Sequence, residues 1–276
     1  MKKRILVILL LTIFLILILF ASVSFADQNP MSVELGTRDL TAEQIKQLKK
    51  DPDRLTKRAK MDVIYLLSQA DKEMNAAEAY NTGNTVSAMS ANTVYLGSDA
   101  TFYVADMGNK GHSTFGIAGA SERYSSYTID SHTWTTGLGS ASSWAYIGKT
   151  IYVSGAGSKG AYIRFKGSYS GSTVPGFLGG IAGAEVKVTV YDVTAGSQIG
   201  SSTILLVNDS IGIGSQFTNV PINLSIYVVL QAGHTYCLRY HLSTSVSNYS
   251  PQMVISDFWD DTNSGIYMDK VTVDFI

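Results

Sequence analysis

A single cysteine, Cys237, in 276 residues leaves no partner for an intramolecular disulfide. Stability must then come from a core large enough to work unaided, or from bound metal. Basic clusters are missing too: 21 Lys and Arg stand against 22 Asp and Glu, and only 16% of the residues are charged. That composition lacks the cationic surface a nucleic-acid partner requires. His112, His132, His234 and His241 show no metal-ligand spacing, and neither G-x-S-x-G nor H-E-x-x-H occurs. Cys237 and His241 share one face of a strand, but four residues along a strand span roughly 13 Å, too far for a nucleophile and its base. Only one apolar run approaches membrane-spanning length.

That run opens the chain. Lys2, Lys3 and Arg4 precede the apolar stretch Ile5 to Phe20, and small residues continue up to Ala26. This is the pattern of a secretory signal, residues 1–26, with cleavage expected after Ala26. The competing reading is an uncleaved anchor, which would be the chain's sole link to a membrane. Either reading places the remainder outside the cell, secreted or at the cell surface. Removing the signal also takes away three cations and no acid.

Composition divides the rest of the chain in two. Residues 41 to 80 carry eight basic and seven acidic residues, whereas residues 81 to 276 carry nine and twelve and are rich in Gly, Ser, Thr and Tyr. The first part, within 27–88, reads as helical. Thr41 and Gln44 form a capping box for a short helix. After Pro52, the residues Ala59, Val63, Leu67, Ala70, Met74 and Ala77 fall on one stripe of a longer helix. The stripe is expected to pack on the β domain. The alternatives are a linker, a removable pro-segment, or a short coiled coil giving an oligomer.

Residues 89–276 read as strands. Val186, Val188 and Val190 alternate with Lys187, Thr189 and Tyr191, and Ala161, Ile163 and Phe165 alternate with Tyr162, Arg164 and Lys166. TVYLG, TFYVAD, SSYTI, KTIYVSG, STILLV, LSIYVVL, HTYCLRYHL, QMVISDF and YMDKVTVDFI are further candidates, separated by turns such as SGAGSKG, TAGSQIG and NDSIGIG. Many short strands without intervening helices indicate a mainly β fold, an antiparallel sandwich behind a short helical region.

In LQAGHTYCLRYHL, the order Leu230, Ala232, Gly233, His234, Thr235, Tyr236 resembles the turn and strand found late in jelly-roll carbohydrate-binding modules. GIYMDKVTVDFI is similar to their closing strand. The resemblance covers the C-terminal part of the chain and implies a jelly-roll-like sandwich that binds sugars. It also implies a structural calcium held through Asp269. Alternation places Asp269 on the side of Val271 and Val273, where a carboxylate needs a cation or backbone donors.

The densest polar stretch is SDFWDDTNSGIYMDKV, Ser256 to Val271. An EF-hand loop is excluded: with Gly265 at the glycine position, the required bidentate acid would be Val271. An irregular calcium site using Asp257 with Asp260, Asp261 and Asn263 stays open beside a plain solvated loop. Sugars bind by stacking on indole or phenol rings while Asn, Asp and Arg take the hydroxyls. Trp134 and Trp259 lie among turn residues and read as exposed, whereas Trp144 reads as interior. Trp259, Asp260, Asp261 and Asn263, with Trp134, form the candidate contact set. The expected function is an exported, non-catalytic binding protein for a polysaccharide or cell-surface glycan. A self-assembling surface protein is the main alternative. A secreted glycoside hydrolase using Glu122, Glu185 or the aspartates comes third.

Overall fold

The structure is a computed structural model and describes residues 52–83, 92–177, 179–210, 212–259 and 265–276, without the side chains of 52 and 77–83. The signal segment, the Thr41 cap, Asp260, Asp261 and Asn263 lie outside these residues. The described elements are one helix, α1 (Pro52–Gly83), and ten strands: β1 (Asn92–Tyr95), β2 (Ala100–Phe102), β3 (Met107–Tyr124), β4 (Thr128–Ser154), β5 (Ser158–Val174), β6 (Gly180–Asp192), β7 (Ser197–Ser210), β8 (Gln216–Gln231), β9 (Thr235–Phe258) and β10 (Gly265–Phe275). No described helix is long and apolar enough to cross a membrane.

The strands stack as two layers. A front sheet runs β3–β4–β9–β6–β7, and a back sheet runs β8–β5–β10–β2. These pairings are antiparallel, and β1 adds in parallel to the end of β4. Alternation works as the sequence indicates. Val186, Val188 and Val190 of β6 and Leu238, Tyr240 and Leu242 of β9 meet Ile163 and Phe165 of β5 and Val271 and Val273 of β10 in one core. Phe165 packs edge-on against Tyr240 at 5.3 Å. The Tyr240 hydroxyl donates across the layers to the carbonyls of Lys166 (2.8 Å) and Lys270 (3.0 Å), so the buried phenol has its polar end satisfied.

The two layers are not separate sheets. β3, β4 and β9 all change register at one level, between Gly116 and Ala118, at Thr136/Gly137, and across Ser250 to Met253. Gly116 (φ 72°) and Gly137 (φ 78°) take the left-handed conformation the bend needs, and Pro251 sits in the β9 irregularity. Past the bend, β9 pairs with β5 and β4 pairs with β10, so these long strands pass from one layer to the other. Hydroxyls close the fold: Ser131 Oγ lies 2.9 Å from Ser143 Oγ and 2.7 Å from Thr244 Oγ1. β3 escapes the sequence reading because it is rich in glycine. Across the ladder, Gly111 faces Trp144 and Gly119 faces Trp134, and each indole lies over its glycine.

α1 lies on the outer face of the front sheet, as the apolar stripe indicates. Leu55, Ala59, Val63 and Leu67 pack on Ile181 and Tyr249, and Ala70 and Met74 pack on Trp144 and Tyr146. Trp144 is interior, as expected.

Candidate functional site

Beyond the bend, the outward positions of four adjacent strands line up in rows. One row runs Gly119, Trp134, Ile255, Val174, and the next runs Ser121, His132, Asp257, Ser172. The third pairs Arg123 with Asp130 and is closed by Trp259 at the end of β9. Three residues singled out from sequence, Trp134, Asp257 and Trp259, therefore share one face. The sequence reading put Trp134 in a turn; it stands within β4, half-buried, with its alternation hidden because the inward partners Ser131, Thr133 and Thr135 are buried hydroxyl residues.

Each row has its own chemistry. The Trp134 indole rests over Gly119, where an added Cβ would come within 2.5 Å of Nε1, so glycine is what lets the ring lie flat on the sheet. Ile255 and the exposed Val174 extend that apolar step. His132 Nδ1 lies 3.1 Å from Asp257 Oδ1, and the same oxygen accepts the Trp259 backbone N–H at 3.0 Å. Arg123 forms an ion pair with Asp130, a carboxylate only 2% exposed, and its guanidinium sits 4.5 Å from the centre of the Trp259 ring. The buried carboxylate fixes the guanidinium, and the guanidinium fixes the indole by a cation–π contact. Four residues along β4 separate the Trp134 row from the Trp259 row, roughly 13 Å. Arg123, Asp130 and His132 were missed from sequence, although D-S-H-T-W alternates once serine and threonine are admitted as inward residues.

Asp269 is a correction. β10 shifts register between Met268 and Lys270, so Asp269 is the extra residue of a bulge and is exposed, while Ile266, Met268, Val271 and Val273 stay buried. The bulge breaks the simple alternation that put Asp269 on the valine side. Asp257 is committed to His132 and the Trp259 amide. Among the described residues, no three His, Cys, Asp or Glu side chains gather as metal ligands. Asp269, the residue the resemblance assigns to calcium, therefore stands on an exposed bulge and not on the valine side of the sheet.

The other titratable groups serve elsewhere. Glu122 turns into the fold of edge strand β3, where His112 Nδ1 lies 3.0 Å from its carboxylate, and the contact raises the imidazole above its ordinary pKa. Inward charges of this kind also discourage edge-to-edge pairing. Glu185 faces the α1 side of β6 and is raised by desolvation and by Asp71. His234 Nδ1 lies 2.8 Å from Asp192. Cys237 is wholly buried beside Met107 Sδ (2.9 Å), with its thiol pushed far up by burial, and is inert.

No protein-family model and no curated protein matches the sequence. Solved structures with some likeness include several carbohydrate-binding modules. One is a family 61 module in complex with β-1,4-galactotriose (10% identity, TM-score 0.19, 58% of this chain and 86% of that one). Another is the family 11 module of a Clostridium thermocellum cellulase (9% identity, TM-score 0.16, 54% and 95%). An isomalto-dextranase of Arthrobacter globiformis T6, complexed with panose, is similar at 11% identity and TM-score 0.25 over 66% of this chain, which spans 24% of the enzyme's length. Likeness this slight transfers neither a ligand nor an activity.

Proposed function

We propose that the chain is an exported, non-catalytic module that binds a neutral glycan along the β4/β9 face. One observation carries the reading: two indoles stand at the ends of a strip roughly 13 Å long, with the His132–Asp257 and Arg123–Asp130 pairs between and beside them. Flat rings take the apolar faces of sugars, and the part-exposed His132 and Asp257 face the hydroxyls. Two carboxylates against one fixed cation make the strip a poor seat for an acidic chain and a fair one for an uncharged chain. Of the carboxyls weighed for hydrolysis, the two glutamates favour the non-catalytic reading, since Glu122 is held inside the β3 fold and Glu185 beside α1. The test is affinity electrophoresis on neutral polysaccharides. Trp134→Ala and Trp259→Ala each reduce retention about ten-fold, the equivalent of ~1.4 kcal/mol, with little change in melting temperature. Unchanged retention of both variants removes the site.

A further inference from the structure

The face beneath α1 is built unlike a surface meant only to receive a helix. A sheet that seats a permanent helix is ordinarily apolar. Here β9 and β6 contribute Arg239, His241, Ser245, Ser247 and Lys187. Arg239 has no solvent exposure, and its guanidinium lies 4.3 Å from the ring centre of Tyr191 and 5.2 Å from that of Tyr146. Burial lowers its pKa to about 9. Desolvating that cation is costly unless carboxylates or aromatic faces compensate.

Sheet donors meet carboxylates of the helix at three points, while Arg58 of the helix donates back to the Tyr249 hydroxyl and pairs with Asp62. The hydroxyls of Tyr249 and Ser247 donate to Asp62, the Lys187 ammonium donates to Asp71, and Trp144 Nε1 donates to Glu73 at 3.0 Å. These three acceptors are helix carboxylates, His241 Nδ1 lies 3.3 Å from the Met74 thioether, and from Asp62 to Glu73 the helix advances roughly 17 Å. The sheet thus presents donors and cations beside the rings of Trp144, Tyr146 and Tyr191, and α1 sets carboxylates against them along the two flanks of its apolar stripe.

We infer that this face is a second binding site, for an acidic polysaccharide, and that α1 is the cover that occupies it, its carboxylates standing where those of the polymer would bind. Uronate carboxylates take the donors now held by Asp62, Asp71 and Glu73, and sugar faces take the rings. The apolar side of α1, Leu55, Ala59, Val63 and Leu67, keeps the face closed. Polymer affinity is therefore reduced by the fraction of molecules in the closed state. This site is separate from the β4/β9 strip and takes an acidic polymer where the strip takes a neutral one.

The test uses the full chain and polygalacturonate, with dextran as the neutral control. In the Asp71→Ala/Glu73→Ala variant, two donors lose their helix partners, and retention on polygalacturonate rises about ten-fold with no gain on dextran. The converse is a lock. A Cβ placed on Gly183 would lie 2.6 Å from Val63 Cγ1, so Val63→Cys with Gly183→Cys sets two thiols face to face across the contact. Oxidation abolishes polygalacturonate retention, and reduction restores it. Should either variant fail to fold, hydrogen exchange on the wild-type chain decides: saturating polygalacturonate strips protection from the α1 amides. Unchanged α1 protection overturns the inference, as do equal gains on both polymers. Growth in particle size without retention also overturns it, because α1 would then be docking on a second copy.

Discussion

His241 gives a pH dependence whose sign and size are set by its surroundings. The ring is wholly buried. Its Nε2 lies 2.7 Å from Thr189 Oγ1, its Nδ1 lies 3.3 Å from Met74 Sδ on α1, and its ring centre is 5.7 Å from that of Tyr146. Desolvation, joined by the cations of Arg239 on its own strand and Lys187 on β6, holds the imidazole well below its ordinary 6.5. The unfolded chain binds a proton below pH 6.5 and the folded chain does not, so stability falls as pH falls through that value. One such group changes stability by up to ~1.4 kcal/mol per pH unit, which integrates to about 2 kcal/mol between pH 7 and pH 5. His112 has the opposite sign: its raised pKa adds stability in acid that is lost as pH rises. Comparison with His241→Gln isolates the one group. In urea titrations at both pH values, wild type should lose about 2 kcal/mol more than the variant on acidification. Equal losses would refute the assignment of a neutral, buried His241.

The packing sets three further outcomes. Phe165→Ala removes a fully buried ring from the junction of the two layers and should cost about 3–5 kcal/mol, read as a lower denaturation midpoint. Gly119→Val places a methine where the Trp134 indole lies, so retention on neutral polysaccharide should fall as it does in Trp134→Ala, with the fold intact by circular dichroism. Asp269→Ala removes an exposed bulge residue and should change stability by less than about 0.5 kcal/mol, with melting curves in calcium and in chelator superimposing.

Periodicity was legible in the sequence wherever apolar residues lie on one side. The valines of β6, the Ile163/Phe165 pair of β5 and the α1 stripe all read correctly, because burial of apolar area dictates which face turns inward. Where inward residues are polar or missing, the signal disappears. β3 carries its partner's aromatic rings over Gly111 and Gly119, so no alternation of its own shows. Trp134 looked like a turn residue because its neighbours Thr133 and Thr135, which point inward, are hydroxylic. Asp269 was misplaced by one inserted residue, which no single sequence reveals. The clustering of Trp134, Asp257 and Trp259 depends on β4 and β9 pairing across more than a hundred residues, and Arg123 joins them only through β3. Arg239 read as an ordinary strand residue, since nothing local announces that it will be buried against Tyr146 and Tyr191 of neighbouring strands.

Neutral-glycan binding at the β4/β9 strip is tested most directly by the three indole N–H signals of the chain. Titrating a neutral oligosaccharide into nitrogen-15-labelled protein should shift the Trp134 and Trp259 signals and leave Trp144 in place, because Glu73 holds its N–H beneath α1. Movement of Trp144 alone, or of none of the three at saturating ligand, would contradict it.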